Sequence, residues 1–258
     1  MRLFHTMCAL VTSLSLAAPA AADVTFKRKM DGRMMTGSMA GTSVQFIKGT
    51  KMRDDQTIAG GERSTIIDVA SQRMIALDHK RRQAEVYDMT KVSEELSKLP
   101  ISDVQASLAA TPETRTIAGH ACTVYTMNVA VPMDMGGQKM TISMTGPMCI
   151  GKDAPGAADV ATFYKAVVDK GFFFGDVRQA KAQPGQARAM SALYQEMAGL
   201  GVPLAQEMNM KFEGEGPMAA MMSKMGGSSM STEVLSVSTD AIPDSTFEIP
   251  EGYKVVKR

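Results

Sequence analysis

The stretch CTVYTMNVAVPMDMGGQKMTISMTGPMC, Cys122 to Cys149, constrains the fold more than any other part of the chain. Tyr125, Met127, Val129, Val131, Met133 and Met135 recur at every second position, the period of a half-buried strand. Gly136-Gly137 then supplies a two-residue hairpin turn. Around that turn the register sets Met133 against Met140, Val131 against Ile142 and Val129 against Met144, every pair apolar. Thr141, Ser143 and Thr145 fall on the wetter face. Continued further, the register brings Cys149 opposite Val124, one diagonal from Cys122, and a bulge near Pro147 would bring the two sulfurs together. Pro132 calls for an edge position or a bulge. The result is a long antiparallel hairpin with one oily face that something must cover.

The flanking sequence supplies both more sheet and the cover. VTFKRKM, TSVQFIKG, RSTIIDV, RMIALD and AEVYDM are short alternating runs. Turn residues at Asp31-Gly32, Lys48-Gly49, Gly60-Gly61 and Asp78 to Arg82 separate them, which reads as a meander. Val92, Leu96 and Leu99 then keep helical spacing up to Pro100, and SDVQASLAA reads as a second short helix capped by Ser102. Val160, Phe163, Tyr164 and Val167 form one apolar helix face, and Met190, Leu193, Tyr194 and Met197 form another. Met208, Met210 and Phe212 share a strand face, with STEVLSVSTD as the partner strand. Between these two strands, Met218, Met221, Met222 and Met225 mark a short helix that Pro217 opens and Gly226 closes. The expected fold class is α+β, mostly antiparallel β: a curved half-barrel sheet with helices packed on the concave face.

Compartment follows from the first residues. Arg2, an apolar run from Met7 to Leu16 and the small residues Ala20 and Ala22 form a secretory leader, so 1–22 is read as a signal peptide and 23–258 as one domain. Of 258 residues about 236 remain, enough for a single large β-rich domain. The expected location is periplasmic or secreted, with no stable membrane insertion. Charges balance once Arg2 is gone, which removes the electrostatic case for nucleic acid. Cys122 and Cys149 are the two cysteines left, and an even count in an oxidising compartment predicts a disulfide.

Three stretches resemble a bacterial exported family of unknown function. VQFIKGTKMRDD with IIDVASQRMIALDHKRRQAEVYDM resembles its strand-turn-strand opening. Ile117, Gly119, Cys122 and Tyr125 match its central strand, and Phe247, Ile249, Pro250, Gly252, Tyr253 and Lys254 match its closing tail. Together they cover about half of the mature chain in the expected order. The resemblance implies a fold like the lipoprotein carriers LolA and LolB, an incomplete barrel with a helical lid, whose members hold acyl chains in the concave face. It carries no reaction with it.

Enzyme chemistry has little to stand on. His79 and His120 are the only histidines after the leader, both read as surface or turn residues, and no G-x-S-x-G elbow, P-loop or zinc-type cluster is present. The Arg53-Asp54-Asp55 group and the Glu113/Arg115 pair are able to anchor a head group, although such residues are more often solvated strand-end charges. Methionine, 24 residues in all, is the main large apolar filler in a chain without tryptophan. The expectation is therefore a non-enzymatic binding protein without a cofactor, holding a lipid or other apolar small molecule. Its predicted lining is Met127, Val129, Val131, Met133, Met140, Ile142, Met144, Met208, Met210, Met218 and Met222. Thioether ligation of copper, through clusters such as Met30, Met34, Met35 and Met39 or Met218 to Met230, is the alternative. A structural envelope protein with a filled core, and a protein partner in the envelope, is the third reading.

Overall fold

In a computed structural model, residues 23–34, 37–97, 104–135, 137–171, 177, 184–224 and 226–258 are described. The leader segment, Met35, Leu99, Pro100, the Ser102 cap, Gly136 and Met225 lie outside them, as do the side chains of Leu96 and Met218.

Two antiparallel meanders form one sheet. The first comprises β1 (Val24–Met34), β2 (Gly37–Lys48), β3 (Lys51–Ile58), β4 (Gly61–Asp68), β5 (Arg73–Asp78) and β6 (Gln83–Asp88). The second comprises β7 (Gln105–Ile117), β8 (His120–Met135), β9 (Gln138–Gly151), β10 (Val202–Gly214) and β11 (Ser228–Ser238). β1 pairs with β11 and joins the two, and β12 (Lys254–Lys257) adds a parallel strand beside β6. The 12-stranded order is β12-β6-β5-β4-β3-β2-β1-β11-β10-β9-β8-β7, an open, curved sheet, so the α+β, mostly antiparallel architecture holds.

Four helices accompany it among the described residues: α1 (Met89–Ser97), α2 (Ala157–Asp169), α3 (Pro184–Met197) and α4 (Pro217–Lys224). α2 buries Val160, Phe163 and Val167 against a cluster holding Val24, Phe26, Ile47, Leu204 and Val234. α3 buries Ala189, Leu193 and Met197 over the central hairpin. Tyr164 of α2 stacks on Tyr194 of α3, ring centroids 5.6 Å apart, and ties the two helices together. On the other side of the sheet a third cluster forms. There Ile66, Ile75, Leu77 and Ala84 are covered by Ile242, Phe247, Ile249 and Tyr253 of the closing tail. The tail residues matched by resemblance are thus the plug of the outer face.

The central hairpin has the predicted register: Met133 pairs with Met140, Val131 with Ile142, Val129 with Met144 and Val124 with Cys149. Cys122 and Cys149 are bonded, Cα atoms 5.4 Å apart. The bulge anticipated near Pro147 is not needed, because the register runs unshifted and the diagonal is already within disulfide reach. Among the described residues the pairing of β7 with β8 ends at Gln105 and Ala130, short of Pro132, in keeping with an edge position for the proline. The buried phase of β8 switches between Val124 and Met127, and Met148 through Gly151 are all buried, so this end is covered on both faces.

Two expectations fail. Asp31-Gly32 is not a turn: β1 runs through it to Met34, and a Cβ on Gly32 would lie 2.8 Å from the Ser229 carbonyl oxygen. The helix expected over SDVQASLAA is strand β7 from Gln105, where Ala106 and Leu108 pair with Val129 and Met127. Tertiary pairing overrides the helical propensity of alanine and leucine there. His79 lies in a turn, as expected, and there its Nε2 is 2.7 Å from Ser64 Oγ and its Nδ1 2.6 Å from Tyr253 Oη, which clips the tail to the sheet.

The disulfide spans 27 positions, and chain-entropy arithmetic assigns it ~3 to 4 kcal/mol. Urea unfolding of the Cys122→Ser, Cys149→Ser double variant is expected to show that loss. A midpoint equal to that of the oxidised parent would refute it.

Candidate functional site

The predicted methionine row exists, and it is filled. Met127, Val129, Val131, Ile142 and Met144 are each 5 % exposed or less and pack with Ala189, Leu193 and Met197 of α3, and Met140 is 2 % exposed at the hairpin-tip end of the row. Met133, Met208, Met210 and Phe212 pack at the margin of the same cluster. Met222 is half-exposed and Met221 exposed on α4, beyond the end of the sheet. A more open groove of about 570 Å³ lies beside the hairpin tip, where Pro132, Met133 and Met140 meet Asp134, Lys139, Thr141 and Glu213. Among the described residues no group of three His, Cys, Asp or Glu side chains gathers to hold a metal.

Open space lies on the other half of the same face. Pairing registers order the helix-bearing side of β1 to β6 into three transverse rows. Val24, Ile47, Met52, Ile67, Met74 and Tyr87 form an apolar row, each paired with the next across the strands. Two residues along, Phe26, Gln45, Asp54, Thr65, Ala76 and Glu85 form a mixed row. Two further along, Arg28, Ser43, Gln56, Arg63, Asp78 and Gln83 form a wholly polar one. With ~3.4 Å per residue, polarity reverses within about 14 Å.

A cleft of about 400 Å³ opens across these rows over β4 to β6. Met74, Ala76, Tyr87 and the buried Val177 supply its apolar wall, and Gln56, Arg63, Asp78, Gln83 and Glu85 its polar wall. The volume falls in the ~300 to 1,000 Å³ range of small-molecule sites. Tyr87 Oη donates to Glu85, and the Arg258 guanidinium donates to the same carboxylate at 2.7 Å.

From the cleft a polar network runs inward beneath α2. Gln56 Nε2 donates to Asp54 Oδ2 at 2.6 Å, and Arg28 donates to Gln45 Oε1 at 2.8 Å. Ser43, 4 % exposed, lies between them in the polar row and also bonds Asp54. Arg28 sits 4.9 Å over the Phe26 ring. Burial pushes the Asp54 carboxyl above its ordinary value, against the hydrogen bond from Gln56, and burial lowers Arg28. Burial likewise raises the Tyr164 phenol, with Arg28 opposing it. Such polar groups cost free energy beneath an apolar helix unless they are hydrogen-bonded, and here they bond one another.

The strand-end charges behave differently from expectation. Arg53 turns to the outer face, where it bonds Asp55 at 2.7 Å and the Thr246 carbonyl at 2.9 Å. Asp54 points to the cleft side, in the middle of its strand. Glu113 and Arg115 pair at 2.7 Å on the exposed edge strand β7, far from the cleft in strand order. Sequence reasoning missed Gln56, Arg63, Asp78, Gln83 and Glu85, which come from four strands and share no local spacing. The Ser64–His79 pair has the shape of a nucleophile and its base. Ser64 is nevertheless 3 % exposed and shares its strand face with Leu77 under the closing tail, so the contact serves packing.

No protein-family model and no curated protein sequence matches the chain. Solved structures similar to the chain include the following two. One is an uncharacterized conserved protein from Thermus thermophilus, at TM-score 0.37 and 9% identity, covering 92% of this chain and 91% of that one. The other is a putative outer membrane lipoprotein-sorting protein domain from Vibrio parahaemolyticus, at TM-score 0.32 and 7% identity, covering 89% and 90%. Likenesses this distant carry no weight for the site.

Because the folded Asp54 carboxyl keeps its proton to higher pH than the unfolded one, its contribution to stability is present below the unfolded value. It is lost as pH rises through the folded value. Asp54→Asn is therefore expected to gain in Tm relative to the parent as pH rises from about 4 to 7. A constant Tm difference over that range would show that Asp54 titrates normally.

Proposed function

We propose that this is an exported, non-enzymatic binding protein whose ligand is an amphiphile held in the cleft over β4 to β6. The observation that carries the reading is the reversal of polarity across three paired rows, with the cleft spanning the reversal. A solvated sheet face would be polar throughout, and a packed one apolar throughout. A face that changes from Met74 and Tyr87 to Arg63 and Asp78 within two steps suits a molecule with an oily part and a polar end. Apolar area supplies affinity in such a site, and the few polar groups fix orientation.

This reading moves the ligand away from the methionine row, which α3 already covers, to the neighbouring meander. The methionines of the central hairpin then act as adaptable packing for the helix. Neither methionine-bound copper nor a wholly structural role has better support.

Native mass spectrometry of protein purified without detergent is expected to reveal a bound amphiphile, and uptake of a fluorescent fatty acid is expected in solution. Ala76→Phe, which places a ring in the cleft, should weaken that uptake at least about tenfold, the scale of a blocked apolar contact. Uptake that survives Ala76→Phe unchanged, or no uptake by the parent protein, would overturn the proposal.

A further inference from the structure

Charges on the cleft wall are unevenly committed. Glu85 is engaged by Tyr87 and by Arg258. Asp78 accepts from the Arg81 backbone N–H at 2.9 Å and lies 3.8 Å from the Arg81 guanidinium. Arg63 stands directly across the strands from Asp78 and Gln56, yet it has no ion-pair partner among the described residues. The same holds at the far end of the polar row, where Arg28 has a neutral partner, Gln45. Three strand spacings, about 14 Å, separate the two cations. The acids that line the cleft are thus satisfied, and the uncommitted charge at its exposed lip is a guanidinium.

A guanidinium offers five N–H donors in a planar fork that matches carboxylate and phosphate oxygens. Next to a wall that excludes water, such a contact is stronger than on open surface. We propose that the head group received by this cleft is anionic, a carboxylate or phosphate monoester on a single-chain amphiphile, and that Arg63 is the residue that binds it. This rests on the cleft being the ligand site. The oily chain lies against Met74, Ala76 and Val177, and the head group faces the polar row.

The test compares oleate, oleoyl lysophosphatidate and oleyl alcohol, all below their aggregation concentrations, by titration calorimetry. Parent protein, Arg63→Gln and a control, Arg115→Gln on the distant edge strand, are measured alongside one another. Oleate, lysophosphatidate or both should bind the parent at least about tenfold more tightly than the alcohol, the scale of one charge-assisted hydrogen bond. Arg63→Gln should abolish that preference while leaving the alcohol unchanged, and Arg115→Gln should alter nothing. Preference for one anion over the other identifies the head group as carboxylate or phosphate, and either supports the assignment. Equal binding of alcohol and anions by the parent overturns the anionic head group while leaving the cleft as the amphiphile site. Equal weakening of all three probes by Arg63→Gln overturns the role of Arg63. If none of the three binds the parent, the cleft reading falls and this inference with it. Arg63 is exposed, so a folding defect in the variant is not expected, and its circular dichroism spectrum and Tm serve as the check.

Discussion

Pairing of β1 with β11 is the contact on which the rest of the molecule depends. It joins Thr25 to Ser238 and Arg33 to Ser229, and so fuses two meanders into one sheet. Closing so long a loop is entropically costly, and the seam has little hydrogen-bonding advantage over any other antiparallel pair. Burial offsets the cost. Val24 and Phe26 of β1, Val234 of β11, Leu204 of β10 and Phe163 of α2 are all almost fully buried around the seam. Each such side chain contributes about 1.5 to 3 kcal/mol. The register shift between Lys27 and Arg28 leaves Leu235 exposed and keeps Val234 inside. Such a shift sharpens local twist, in keeping with a curved sheet.

The two meanders differ in what they do with the same face. In the second, the inward positions Met127, Val129, Val131, Ile142 and Met144 of the central hairpin are large and apolar, and α3 lies on them. In the first, strands shorten to 6 residues at β5 and β6, and inward positions turn polar two steps from the apolar row. A helix laid flush across β4 to β6 would bury Arg63, Asp78 and Gln83 together. Among the described residues the space above β4 to β6 is open, and its floor is a poor partner for an apolar helix.

Where the sequence was legible, one local rule sufficed. A glycine pair fixed the hairpin turn, so every partner from Met133 to Cys149 followed, and helix faces at Val160 to Val167 and Met190 to Met197 followed from their spacing. Strand β3, KMRDDQTI, shows no such rule, because its inward residues Asp54 and Gln56 are polar and its outward Arg53 is engaged by the tail. Its only hint lay in the resemblance. The inward alternation of Ala106 and Leu108 in β7 was masked by the small residues around it. The site was less legible still: its residues become neighbours only through three successive registers. The filling of the methionine row depends on where α3 lands, which no strand pattern states.

The seam also sets an order of events during synthesis. β1 is complete at Met34, but its partner β11 does not begin until Ser228. Throughout that interval the outer rim of β1 presents unpaired amides to any neighbouring chain. Lys27, Lys29 and Arg33, all exposed, share one face of that strand with Asp31, which pairs with Lys29 at 2.9 Å, and charged side chains of this kind disfavour edge-to-edge stacking. The charged face of β1 therefore matters most before the sheet is complete, while that edge is still open.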